Sequence, residues 1–274
     1  MVRVEGNLGN EVFMSFLWKT NTQMLSHDNL ADLLANRCGT IQLNKFITPH
    51  QAETLVNALD QIRFKSYAYS FDEMDAPEAL HIFDTHYLYE AKDITAYEQS
   101  TEESRRIYRE LSEKIGFSVF DHLMQTLKEH WKGNIKIARE KSYDYFPCIA
   151  RELNESVLLH ADFAPYIAGT WAIQNIISEL AWNIYLTKPK AGGECIVYDR
   201  QWIPTDDEHI VKNTYGYDAK IVRHSKSVII APEVGSLVLF NSRNFHEVKK
   251  AQGRRIAIGG HFGLLPHGDL IAWS

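Results

Sequence analysis

The segment LLHADFAP (158–165) sets His160 and Asp162 two residues apart in a run that is otherwise apolar. In an extended strand residues i and i+2 face the same side, so imidazole and carboxylate converge while Leu159, Ala161 and Phe163 face the other way. An ionised carboxylate removed from water needs a cation, and the imidazole beside it makes a metal ion a better candidate than a lone ion pair. Alone, the motif is weak. The chain has 12 histidines, and a second His-x-Asp occurs at His267-Gly268-Asp269, in a PHGD turn with no later histidine to complete a site.

A third ligand is available downstream. GSLVLFNSRNFHEV (235–248) reads as an apolar strand that turns through Asn241, Ser242 and Arg243 and presents His246 at the start of the next strand. Two histidines and one carboxylate on one face of a metal, with the other positions open, suit non-haem Fe(II) chemistry in which a co-substrate and O2 bind. Zinc hydrolysis is the nearest competitor, but the sequence has no HExxH helix to supply such a site and its base. Nine residues after His246, alternation in GRRIAIGGHFG puts Arg255, Ala257, Gly259 and His261 on one face. Arginine followed by two minimal side chains describes a cationic fork at the bottom of a roomy pocket, suited to bidentate recognition of a carboxylate. A diacid of the shape of 2-oxoglutarate, chelating the metal at one end and pairing with Arg255 at the other, would fill that pocket.

These residues need elements to position them. The first 133 residues read as mainly helical: ITPHQAETLVNALDQI (47–62) opens on a capping box, Thr48 with Gln51, and Pro49 at its first position. A second box, Ser100 with Glu103, is expected to open a helix running toward residue 131, with Gly116 as its point of interruption. From residue 134 the texture becomes short β-rich runs between Gly, Pro, Asn and Asp, which read as a sandwich or jelly roll rather than a βαβ sheet. The expected fold class is α+β in a single domain, 1–274, with helices in 1–133 buttressing a β core in 134–274. Residues 200–220 form one long irregular segment, and Trp202, Tyr215 and Tyr217 favour an ordered lid.

HAD (160–162), AWNIYLTKPKAGGECIVYDRQW (181–202), PEVGSLVLFNSRNFHEV (232–248) and GRRIAIGGHF (253–262) together resemble the Fe(II)/2-oxoglutarate-dependent oxygenase superfamily. The resemblance is to small-molecule enzymes of the type of N-succinyl-leucine dioxygenase and the carrier-independent alkaloid and amino-acid halogenases. It implies a double-stranded β-helix (jelly-roll, cupin-like) with Fe(II) at its mouth on His160, Asp162 and His246, and 2-oxoglutarate on Arg255. It also implies O2 as co-substrate, with ascorbate as a stimulant of turnover. The halogenases carry Gly or Ala where this chain has Asp162, which favours hydroxylation over halogenation; desaturation and epimerisation stay open. Many relatives place Ser or Thr where this chain has Ala257, so Asn183 or Tyr185, sharing a face of LAWNIYLT, is expected to supply the missing contact to 2-oxoglutarate. Candidate substrate contacts are His261, Trp202 and Phe163. The substrate classes are an amino acid, an N-acyl amino acid or an alkaloid-like natural product.

Composition narrows the alternatives. A net charge of −6 without a local Lys/Arg cluster argues against nucleic acid. No apolar run approaches the length of a membrane span and the start lacks a leader pattern, so a cytoplasmic protein is expected. The three cysteines, Cys38, Cys148 and Cys195, are widely spaced and read as buried thiols. The oligomeric state is left open, a homodimer included. Two other classes remain: a metal-binding β-barrel that senses without turnover, and a cupin-type metalloenzyme or hydrolase that needs neither O2 nor 2-oxoglutarate.

Overall fold

The computed structural model describes residues 18–62, 64–66, 79–86 and 94–274. Helix α1 (His27–Leu34) starts where the Ser26 side chain accepts the Asn29 N–H, and α2 (Pro49–Asp60) starts on the Thr48/Gln51 box, with both reciprocal bonds made at 2.8 and 3.1 Å. Helix α3 (Ile94–Ile115) begins earlier than the Ser100 box predicts. Ser100 lies inside it, its hydroxyl donating to Asp84 Oδ2 at 2.7 Å instead of capping the backbone. Gly116, at φ +66°, ends α3, and Ser118 caps a separate helix α4 (Val119–His130).

The 1–133 segment also contributes strands β1 (Ile41–Leu43), β2 (Lys65–Ser66) and β3 (Ala79–Ile82). There follow β4 (Ile135–Ile137), β5 (Ile149–Leu153), β6 (Val157–His160), β7 (Ser178–Tyr185), β8 (Ala191–Gly192), β9 (Cys195–Gln201) and β10 (Ser227–Ile230). The chain closes with β11 (Leu237–Asn241), β12 (Asn244–Val248), β13 (Ala251–Gln252), β14 (Ile256–Leu264) and β15 (Leu270–Trp273). Among the described residues the large sheet runs β1-β11-β7-β14-β5-β3-β2, with β15 and β4 continuing from β14. Its pairings are antiparallel except β15 with β4. The small sheet is antiparallel in the order β10-β9-β12-β6.

Strand alternation divides the large sheet into two faces. Trp182, Ile184, Leu237, Leu239, Ile256, Ile258 and Phe262 pack against Leu30, Leu33, Leu55, Leu59, Leu123 and Leu127 of the helices, forming one continuous core. The opposite face, with Tyr185, Val238, Phe240 and Ala257, meets Cys195, Val197, Val228 and Val248 of the small sheet. The candidate site sits in this second interior. Among the described residues no helix is long and apolar enough to cross a membrane.

Residues 200–220 are ordered by their own contacts. Asp207 accepts hydrogen bonds from Trp202 Nε1 (3.0 Å), from the Tyr217 hydroxyl (2.8 Å) and from the Tyr166 hydroxyl, and two short 3-10 turns, Pro204–His209 and Ala219–Val222, flank the segment's centre.

Candidate metal centre and anion pocket

His160 ends β6, and the register of β12 with β6 places His246 directly opposite it. The two rings stand 4.1 Å apart at their centroids. Asp162 follows one residue beyond the strand, where its backbone N–H donates to the Ser242 carbonyl at 2.9 Å. Its Oδ2 lies 3.8 Å from His160 Nε2 and 3.7 Å from His246 Nε2. One donor atom from each of the three falls within 4.8 Å of the others.

The donor chemistry suits a divalent ion. His160 Nδ1 is 2.8 Å from the Leu158 carbonyl and His246 Nδ1 is 2.9 Å from the Asn244 carbonyl, so each ring is fixed with its Nε2 lone pair toward the shared point. Backbone bonds of this kind set tautomer and aim in metal-binding histidines. Burial pushes the His246 pKa down to about 3, with the nearby His160 acting in the same direction, which keeps the ring neutral as a ligand must be. Burial pushes the Asp162 carboxyl up, yet His160 and His246, with His261 and Arg151 behind them, draw it below the ordinary range. Side-chain exposures of 19 % for His160 and 29 % for Asp162, against 6 % for His246, put the open side at the β6 edge.

Arg255 lies just before β14 and is buried. Its Nε donates to the Gly193 carbonyl at 2.8 Å, and Nη2 reaches the Tyr185 hydroxyl at 3.4 Å with the guanidinium 5.1 Å from the ring centre. Burial raises the Tyr185 phenol to about 12, so it remains a neutral hydroxyl. Ala257 pairs with Tyr185 and Gly259 with Asn183, so all four share the inner face. A Cβ at Gly259 would come within 2.8 Å of Asn183 Oδ1. The sequence-predicted set His160, Asp162, His246, Arg255, Asn183 and Tyr185 therefore shares one interior.

The substrate candidates divide. His261 lies on the same face, opposite Ala181, with Nδ1 2.8 Å from Glu179 Oε1 and its ring stacked on Trp273. Trp202 is buried with Leu159, Val222 and Phe245 on the outer side of the small sheet, and Phe163 packs against that cluster with Arg243 4.7 Å over its ring. The structure does not bring Trp202 and Phe163 to the face that carries His160 and His246. His267 and Asp269 stand apart from the centre; Asp269 instead accepts hydrogen bonds from Asn134 and Lys136.

Three contributors were not singled out from sequence. Glu179 is fully buried and also accepts the Ala164 N–H at 2.7 Å, tying the segment after Asp162 to β7. Gly193 supplies the carbonyl under Arg255, and the Gly192-Gly193 pair was its only signal. Arg151, in β5, stands opposite Ala257 on the inner face.

Comparison with known proteins completes this picture. Leucinostatins biosynthesis cluster protein S of Purpureocillium lilacinum is 33 % identical over 181 residues, 63 % of this chain and 74 % of that protein. L-gamma-glutamyl-L-propargylglycine hydroxylase of Streptantibioticus cattleyicolor is 28 % identical over 257 residues, covering 90 % and 92 % of the two chains. Among solved structures, an N-substituted L-amino acid dioxygenase from Burkholderia ambifaria superposes with a TM-score of 0.62 at 11 % identity, covering 92 % of each chain, a likeness of fold. The family described as carrier-protein-independent halogenase WelO5 matches residues 18–271, and the chain belongs to that family.

Proposed function

We propose that this chain is an Fe(II)/2-oxoglutarate-dependent dioxygenase that hydroxylates an unactivated C–H bond of a small molecule, with succinate and CO2 as co-products. The observation that carries this reading is the meeting of His160, Asp162 and His246 within 4.8 Å, in the same interior as the buried fork of Arg255. The two facing sheets form a double-stranded β-helix in one domain: β5, β14, β7 and β11 supply its larger half and β6, β12, β9 and β10 the smaller. Segment 200–220 is its lid, and a cytoplasmic location belongs to the same reading.

His160, Asp162 and His246 would hold Fe(II), and Arg255 with Tyr185 and Asn183 would hold 2-oxoglutarate. When bound with O2, these groups supply an oxidant able to take a hydrogen atom from carbon. The protein's part is positioning. Arg255, steadied by the Gly193 carbonyl, fixes the far carboxylate, while Ala257 and Gly259 leave room for the five-carbon chain. Tyr185, a neutral hydroxyl in the same pocket, is a hydrogen-bond partner that an alanine at position 257 does not provide. The Asp162 carboxylate occupies the coordination position that the halogenases leave to chloride, so hydroxylation is the outcome assigned. The relative named as a hydroxylase of a γ-glutamyl amino acid and the dioxygenase of N-substituted amino acids point to an amino acid or acylated amino acid substrate.

Anaerobic addition of Fe(II) and 2-oxoglutarate should produce a visible charge-transfer band that Asp162→Ala and His246→Ala abolish. In air, succinate release should rise when the correct amino acid derivative is added. Absence of the band from the folded wild-type protein would refute the assignment.

A further inference from the structure

The large sheet carries a row of basic residues on the face that lines the site. Arg151 stands opposite Ala257, His81 opposite Arg151, and Lys65 opposite His81, on four successive strands. Directly opposed residues share a face, and Ala257 is itself paired with Tyr185 on its other side. The row therefore runs from Lys65, exposed at the sheet edge, through buried His81 and half-buried Arg151 to the wall of the anion pocket.

Like charges set across neighbouring strands oppose folding, and a chain of net charge −6 does not gather them on an inner face by composition alone. His81 Nδ1 lies 3.0 Å from the Phe83 carbonyl and 3.8 Å from Asp84, and burial, helped by Lys65 and Arg151, holds its pKa below the usual value. His81 is thus neutral at pH 7, and the charge of the row on the site side rests on Arg151. That charge reaches Asp162, where it favours the ionised carboxylate. Arg255 is a separate cation, beyond Ala257 along β14 and engaged with Gly193 and Tyr185. Glu152, next to Arg151 in sequence, faces the other side of the sheet and pairs with Arg254.

We propose that Arg151 binds a carboxylate of the organic substrate, so that the protein takes a free acid, an amino acid or N-acylated amino acid, whose reacting carbon is held between Arg151 and Asp162. This rests on the dioxygenase reading above.

The test uses the full chain loaded anaerobically with Fe(II) and 2-oxoglutarate, titrated with L-leucine, N-acetyl-L-leucine and a γ-glutamyl dipeptide, each against its α-carboxamide. Binding is read by calorimetry and by perturbation of the visible band. At least one acid should bind at least about 30-fold more tightly than its amide, the scale of a charge-assisted contact to a partly buried arginine. Arg151→Gln should abolish that preference while leaving the amide and 2-oxoglutarate affinities unchanged, and Arg151→Lys should restore part of it. The proposal is overturned if acids and amides bind alike, if no acid in the panel binds, or if the glutamine variant keeps the preference. A wild-type protein without the visible band would instead sink the dioxygenase reading, so the two failures are told apart.

Discussion

Gly193 shapes the pocket although it has no side chain. At φ +78° it adopts a backbone conformation that L residues disfavour, and a Cβ there would stand 3.0 Å from Arg255 Cδ and 3.1 Å from Pro189 Cγ. Gly193→Ala should therefore displace the guanidinium. We expect 2-oxoglutarate affinity to fall at least about 10-fold, with ~1 kcal/mol of added backbone strain and Fe(II) affinity unchanged, as measured by separate anaerobic titrations. The metal-binding candidates and Arg255 were legible in the sequence because a period of two assigns each polar residue to a face. Gly193 was not, since its contribution is a carbonyl, and a glycine pair reads only as a turn.

At the scale of elements, the first turn of β7 clasps the two loops that bring the centre together. The Glu179 carbonyl accepts the Ser242 N–H at 3.2 Å, and the Ser242 carbonyl accepts the Asp162 N–H at 2.9 Å. The Glu179 carboxylate accepts the Ala164 N–H at 2.7 Å and lies 2.8 Å from His261. Glu179→Gln keeps an acceptor for Ala164 but loses the charge facing His261, and Glu179→Ala loses both. Severing a buried pair costs about 3–5 kcal/mol, and loosening groups behind metal ligands lowers metal affinity about 10- to 100-fold. The glutamine variant should lose less stability than the alanine variant in urea titrations, and both should bind Fe(II) more weakly. Strand β5 escaped the sequence reading for a related reason. IAREL is buried at Ile149, Ala150, Glu152 and Leu153, on both faces of a central strand, so its Arg and Glu break the apolar run without producing alternation. The second capping box misled because Ser100 found Asp84, a tertiary partner that local spacing cannot reveal.

For the whole molecule, the interior that holds the centre also sets its response to acid. His86 and His246 are enclosed, and burial carries both to about 3 from the ordinary value near 6.5. Between those values the unfolded chain binds protons that the folded chain refuses, so acid favours unfolding; stability is complete above about 6.5 and is lost as pH falls toward 3. Each group contributes a slope approaching ~1.4 kcal/mol per pH unit. Asp269, held at about 2 by Asn134 and Lys136, gives up its contribution only below the ordinary carboxylate range, which leaves the span from pH 6 to 4.5 to the histidines. Urea midpoints of the metal-free protein should fall steadily across that span. His86→Asn should flatten the slope by about one proton, because the amide can still meet the Ser274 carbonyl that His86 Nδ1 approaches at 3.1 Å and does not titrate. Saturating Fe(II) acts differently: binding neutral imidazole and ionised carboxylate, it raises stability near pH 7 and steepens the acid dependence as protons compete for the same atoms. A pH-independent midpoint between 6 and 4.5 would contradict the burial that places His86 and His246 inside this interior.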